Sequence, residues 1–312
     1  MPGSEQDSPT SDGRTTFAGH TSLVLHSRSL AWDASLAVQL EGLTIDASGP
    51  IGSFVDPTAQ ALRTYGFAIL KSVDVAKELL DDRLTKLGSS LGTIVMQSQR
   101  GELIEDVRDT SDFDGEVDTR GYRSGGELVP HSDPPTLIVL HCVTPARSGG
   151  ESYLVNVSSI VRRIAETDRS SLAVLFDPFP MWRVEGQNGR PAGPDAQRLP
   201  VLARHNDAIS CMVYRPFIEM AAEALGEPLS SAQTNALDRF DACTSEPALS
   251  LRFNLNPNQT LLVHNRTVLH ARTNYVDWPE LNRRRHLRRL WIDAPDLLPV
   301  NPAHELGDIF AK

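Results

Sequence analysis

The sequence predicts a mainly β fold with helical additions, an antiparallel double-sheet jelly roll. Strand-like segments are interleaved unevenly with helical ones, where a βαβ fold would alternate them. The β-rich ends must meet to complete one core, and no internal repeat divides the chain. At 312 residues the protein is longer than a typical domain, yet all-β barrels with helical additions commonly reach this length as one unit.

The start, MPGSEQDSPTSDG, is polar and acidic where a signal peptide needs a basic region and an apolar stretch, so 1–18 is expected to be a disordered tail. Residues 19–312 are then one domain. Loose alternation over 20–50 (SLVLHS, LAVQLEGLTI) predicts short edge strands. DPTAQALRTYG (56–66) has the signals of a capped helix, with Asp56 at the N-cap, Pro57 at the first helical position and Gly66 at the stop. FAILKSV (67–73) has strand composition, and DVAKELLDDRLTKLGSSLG (74–92) is an amphipathic helix ending near glycine.

The polar stretch 97–130, rich in Gly, Asp and Arg, is expected to be a long functional loop. TLIVLHC (136–142) and ESYLVNV (151–157) are strand-like, separated by the turn TPARSGG, and a helix follows Asn156. The Pro/Gly-rich segment at about 178–210 has no clear period and is expected to be a lid or insertion. Helical patterns return at about 215–225 and 229–242. The strand-like runs ALSLRFNLN (248–256), TLLVHNRTVLHAR (260–272) and HLRRLWIDA (286–294) close the chain.

With 40% hydrophobic and 22% charged residues and no apolar run of membrane-spanning length, the chain has the composition of a soluble globular protein, and a cytoplasmic location is expected. Cys142, Cys211 and Cys243 are odd in number and widely spaced, against a disulfide framework or a cysteine zinc site. A net charge of −10 disfavours a nucleic-acid partner, although RRRHLRR at 283–289 is a local basic run.

The informative local motif is LVPHSDPP, 128–135. If extended, it sends the side chains of His131 and Asp133 from the same face, an imidazole and a carboxylate beside one metal. Two neutral imidazoles and one carboxylate with open positions form the facial triad of non-haem Fe(II) oxygenases, so a third ligand must come from elsewhere. Alone, H-x-D is a weak signal, and a surface or hydrogen-bonded His–Asp pair is its commoner meaning.

Three further segments accompany it in order: PARSGGES (145–152), HNRTVLH (264–270) and the basic RRRHLRRLW (283–291). Together, over roughly 56–294, they resemble the Fe(II)- and 2-oxoglutarate-dependent oxygenases of the taurine dioxygenase/clavaminate synthase-like (TauD/TfdA) superfamily. The resemblance implies a double-stranded β-helix core of clavaminate synthase type and iron held by His131, Asp133 and His270. His264 and His286 compete for the third place but match structural positions. Asp133 argues against halogenation, for which the related halogenases carry a small residue.

The basic run then has a reason. HLRRLWI alternates charge with bulky apolar groups as a core-lining strand would, and a buried guanidinium needs an anion. The family's 2-oxoglutarate-binding arginine matches Arg285, with its hydroxyl partner at Ser152, and Arg289 assists the cosubstrate or holds an anionic group of the substrate. The resemblance implies O2-dependent hydroxylation of an unactivated C–H bond, with desaturation or cyclisation as variants and succinate and CO2 as coproducts. Gln97, Ser98 and Arg123, together with Arg289, are candidate contacts for a small, polar, amino-acid-like substrate. Trp182, Arg183, Tyr214 and Arg215 are further candidates, and homodimers or tetramers are the family's usual assemblies. The competing readings are a cupin-like metal protein without 2-oxoglutarate and an inactive binding protein on the same scaffold.

Overall fold

The computed structural model describes residues 14–17, 20–24, 31–73, 76–97, 101–109, 125–181, 197–205, 208–297 and 301–304. Its larger sheet contains β1 (Ile45–Asp46), β2 (Phe67–Lys71), β3 (Thr93–Val95), β4 (Ile104–Val107), β6 (Leu137–Thr144), β9 (Thr260–His264) and β11 (His286–Asp293). The order is β1-β2-β9-β6-β11-β3, with β4 also on β11, and every pairing except β1–β2 is antiparallel. A smaller antiparallel sheet runs β8 (Ser250–Phe253), β7 (Ser152–Asn156), β10 (Val268–Arg272) and β5 (Leu128–His131).

Period-two alternation packs the two sheets face to face. Ile138, Cys142, Leu261, Val263, Leu287 and Trp291 from the larger sheet share one buried cluster with Leu154, Leu251 and Val268 from the smaller. The intervening residues cover the outer faces. Leu137, Val139, Leu262, Leu290 and Ile292 pack under helices α1 (Val55–Tyr65) and α2 (Lys77–Leu91) through Leu62, Leu84 and Leu87. On the other side Val155, Leu269 and Ala271 meet α3 (Val157–Thr167) and α6 (Ser231–Ser245), among others, through Ile160, Ile164, Leu237 and Phe240. A one-residue slip in any strand would exchange these sets, so the hydrophobic pattern fixes the register.

Several local expectations change. LAVQLEG is not a strand: residues 34–39 form a 3-10 helix and 40–43 a short α-helix, and only Ile45–Asp46 is extended. Asp33 caps the turn by accepting from Ser35 N, and Leu36, Leu40 and Leu43 recur at helical spacing toward the interior cluster. Helix α1 starts at Val55, so Phe54 stands at the N-cap while Asp56 lies in the first turn; Gly66 ends it as expected. The stretch taken as one long loop contains β4 and β5, with 98–100 and 110–124 outside the described residues. In the segment taken as a lid, Pro178–Met181 pairs with Gln197–Pro200 and Leu202–His205 with Ala208–Cys211; Phe179, Leu202 and Cys211 lie in the outer core. The hairpin of Arg14–Phe17 and His20–Val24 begins inside the stretch read as a tail.

Candidate metal centre

Two strands and a turn assemble the centre. In the smaller sheet His131, the last residue of β5, lies directly opposite His270 of β10, with ring centroids 4.3 Å apart. Asp133 does not share a strand face with His131 as expected: the ladder ends at His131, and the Asp133-Pro134-Pro135 turn swings the carboxylate back. Each imidazole Nε2 stands 3.7 Å from an Asp133 carboxylate oxygen, too far for a hydrogen bond. One ligand atom from each residue lies within 4.8 Å of the others.

Buried donors hold that turn. Arg266, 1% exposed, donates through NH1 to Asp133 O at 3.0 Å and through NH2 to Pro134 O, and Asn265 Nδ2 donates to Pro135 O at 2.9 Å. The Asn-Arg of HNRTVLH thus clamps the backbone of HSDPP. Ser132 N donates to Val213 O at 3.0 Å, and Val213 N donates back to Ser132 Oγ at 2.8 Å. These bonds place the carboxylate before any ligand arrives.

The donor chemistry suits a divalent transition metal. His131 Nδ1 is 2.9 Å from Val129 O; donation there leaves the Nε2 lone pair facing Asp133. Burial foremost, then the neighbouring His131, pushes the His270 imidazole down to about 3 against the pull of Asp133, so it is neutral at physiological pH. Burial would raise the Asp133 carboxyl, but His270, Arg289, His131 and the Trp291 indole outweigh it and hold it below the usual carboxylate range. Asp133 Oδ2 and His270 Nδ1 are buried without a hydrogen-bond partner among the described residues. A buried carboxylate oxygen in that state fits a cation.

A second polar cluster occupies the same interior. Arg285 precedes β11, is 6% exposed, and its guanidinium has no ion-pair or hydrogen-bond partner among the described residues. Burial foremost, then the Arg272 charge, pushes it down to about 10. Gly149 and Gly150, both at positive φ, let the PARSGGES turn approach: a Cβ on Gly150 would stand 3.3 Å from Tyr275 Cβ and 3.6 Å from Arg285 Cδ. Ser152 is buried in β7 opposite Arg272. Arg289 donates through Nε to Gln97 Oε1 at 2.6 Å and through NH2 to Glu105 Oε2 at 3.1 Å, a buried ion pair. Gln97 Nε2 donates back to Arg289 O at 2.8 Å, so Gln97 orients Arg289.

The competing histidines are accounted for elsewhere. His264 Nδ1 meets Thr267 Oγ1 at 3.1 Å, and His286 Nε2 meets Asp106 Oδ1 at 2.5 Å on the outer face of β11. Tyr214 packs its ring 5.5 Å from that of His131, whereas Arg215 is engaged by Glu219, Asp238 and Asp241 between α5 (Arg215–Leu225) and α6. Ser98, Arg123, Trp182 and Arg183 lie outside the described residues. Sequence reasoning missed the turn clamp by Asn265 and Arg266, and missed Arg272 and Tyr275 beside Arg285. Period two from His270 was a usable signal for Arg272.

No helix among the described residues is long and apolar enough to cross a membrane. The FR-33289 synthase of Streptomyces rubellomurinus (strain ATCC 31215) is 29% identical over 239 residues, 74% of this chain and 69% of that protein. A uridine-5'-phosphate dioxygenase of Streptomyces sp is 25% identical over 275 residues, covering 81% and 96%. Among solved structures, asparagine oxygenase in complex with Fe(II), 2S,3S-3-hydroxyasparagine and succinate superimposes with a TM-score of 0.58 at 18% identity, over 84% of this chain and 90% of that one. The non-heme iron oxygenase OrfP in complex with Fe and alpha-ketoglutaric acid gives 0.57 at 14%, over 84% and 85%. The model of the taurine catabolism dioxygenase TauD, TfdA family matches residues 32–291, and the chain belongs to that family of Fe(II)- and 2-oxoglutarate-dependent oxygenases.

Proposed function

We propose that His131, Asp133 and His270 hold the Fe(II), that Arg285 with Ser152 takes the distal carboxylate of 2-oxoglutarate, and that the enzyme hydroxylates a small, polar, amino-acid-like metabolite. The observation that carries the reading is the convergence of three ligand atoms within 4.8 Å around a buried carboxylate oxygen that has no hydrogen-bond partner among the described residues. Bound iron, with 2-oxoglutarate and O2, supplies the oxidising power, coupling formation of succinate and CO2 to oxygen insertion into a C–H bond. The chain's own residues place the reactants. Arg266, Asn265 and Ser132 fix the turn that carries Asp133. The retained carboxylate of Asp133 favours hydroxylation over halogenation.

The Arg289–Glu105 pair supports the substrate class. Arg289 lies within electrostatic reach of Asp133 and carries Glu105 paired beside it, a cation and an anion that complement a zwitterion. The likeness to a uridine-5'-phosphate dioxygenase favours a second reading, a nucleotide monophosphate. A cytoplasmic location and a homo-oligomeric assembly belong to the same proposal. The test is succinate release by the Fe(II)-loaded enzyme with 2-oxoglutarate and O2, comparing a panel of free L-amino acids with uridine 5'-phosphate. Stimulation by one or more amino acids, weakened in Glu105→Gln, supports the reading. Stimulation by the nucleotide alone transfers it to the second, and an unstimulated rate with both rejects the substrate class.

A further inference from the structure

Arg285 is not the only buried cation at its end of the interior. Arg272 follows His270 by two residues in β10, so the two share a face about one strand repeat, roughly 6.6 Å, apart. Val268, two residues before His270, lies in the cluster between the sheets, which identifies that face as the interior one. Across the ladder Arg272 is opposite Ser152, and His270 is opposite Leu154. Arg272 is 5% exposed and donates through NH2 to Gly126 O. Its Cζ lies 4.6 Å from the Tyr275 ring centroid, and that of Arg285 lies 5.4 Å from the same ring.

Tyr275 is itself buried; its hydroxyl meets no group at full hydrogen-bond geometry among the described residues and interacts with the Arg272 guanidinium beside it, which leaves its O–H free to donate. The Arg285 guanidinium, buried beside this phenol and a second guanidinium, has no hydrogen-bond partner among the described residues and is costly there without an anion. Asp109 lies within electrostatic reach of Arg272 and Tyr275, and Asp277 within reach of Arg285 and Tyr275, its carboxylate accepting from the Arg285 backbone N–H at 2.8 and 3.0 Å. A buried phenol flanked by two guanidiniums, one of them directly across the ladder from the buried Ser152, has the complement of a carboxylate.

We infer that Arg272 and Tyr275 complete, with Arg285, the receptor for the distal carboxylate of 2-oxoglutarate. The inference rests on the iron and cosubstrate reading above. Tyr275 donates its O–H to the carboxylate; Arg272 supplies a second positive charge and holds the phenol in place. Tyr275 thus contacts the cosubstrate directly, and Arg272 acts as a positioning residue through it.

The test compares two 2-oxo acids that differ at the far end: 2-oxoglutarate, and 2-oxovalerate, which lacks the distal carboxylate. Each is titrated anaerobically into the Fe(II)-loaded protein while the visible charge-transfer band is followed. In Arg272→Gln the 2-oxoglutarate concentration for half-saturation is expected to rise about 10- to 100-fold, and in Tyr275→Phe about 5- to 10-fold. The 2-oxovalerate value should stay within about twofold of the unsubstituted protein. Equal shifts for both acids, or no shift for 2-oxoglutarate, overturn the inference and make Arg272 a prop for its neighbours. If Arg272→Gln does not fold, Tyr275→Phe, which deletes only the hydroxyl, decides by the same criterion. No band in the unsubstituted protein with either acid overturns the metal reading and this inference together; a band with unaltered 2-oxoglutarate affinity in the variants overturns the inference alone.

Discussion

Replacing Arg266 with methionine separates the stability of the fold from the placement of Asp133. The guanidinium, 1% exposed, is bound to the carbonyls of Asp133 and Pro134. Burial foremost pushes it from 12.5 down to about 10, with Cys211, Asp293 and Asp133 pulling back. A base held below its unfolded value costs the fold about 3 kcal/mol at neutral pH, where it is charged in both states, and that cost fades only above about pH 10. Two hydrogen bonds from a charged donor return about 1.5–3 kcal/mol each. The terms nearly offset, so Arg266→Met should destabilise the metal-free protein by only ~0–3 kcal/mol. Metal affinity should fare worse, because the Asp133–Pro135 turn would keep only the Asn265 and Ser132 attachments; a fall of about 10- to 100-fold is expected, as for other groups that orient metal ligands. The assay pairs urea unfolding of the apoprotein with anaerobic Fe(II) titration. Unchanged iron affinity in a variant of near-normal stability would refute the clamp.

Acid should unfold this protein early. Burial, foremost in each case, pushes His141 to about 4, His264 to about 3 and His304 to about 4, against an ordinary 6.5, so stability is complete above about pH 6.5 and lost as pH falls toward 4. Each then costs about 2 kcal/mol at pH 5, roughly 6 together, comparable with the whole stability of a domain. Urea midpoints at pH 7 and 5 measure this, and equal midpoints would contradict it. Gly149→Ala should cost about 2 kcal/mol more than Gly226→Ala. Both glycines have positive φ, but a Cβ on Gly149 would overlap Asn274 O, whereas one on Gly226 meets nothing within 4 Å. Similar losses in the two variants by urea unfolding would dispose of the close-approach argument.

Much of the candidate site was legible because residue type and order were enough to single out side chains that the fold brings together. His131, Asp133 and His270 converge, and the basic strand lines the interior as its alternation suggested. What escaped depends on tertiary context. LAVQLEG alternates loosely enough to pass for a strand, but its leucines recur at helical spacing and Asp33 caps the turn. β4 is short and acidic, and extended only because it pairs with β11. The Pro/Gly-rich stretch before α5 has no period of its own, yet its hairpins pack Phe179 and Leu202 into the outer core. Asp133 reaches the two histidines by a turn held from a distant strand connection, so period two could not place it. Arg289 was expected to meet a ligand, but its partners within the chain, Glu105 and Gln97, lie about 190 residues earlier, beyond any local pattern.

The measurement that bears most directly on the central claim is an anaerobic titration of the apoprotein with Fe(II) and 2-oxoglutarate, alongside His131→Ala, Asp133→Ala, His270→Ala and Arg285→Ala. A visible charge-transfer band is expected that requires both additions, is lost in the three histidine and aspartate variants, and needs at least about tenfold more 2-oxoglutarate in Arg285→Ala. A band that persists in folded Asp133→Ala or His270→Ala, or no band in the folded unsubstituted protein, would contradict it.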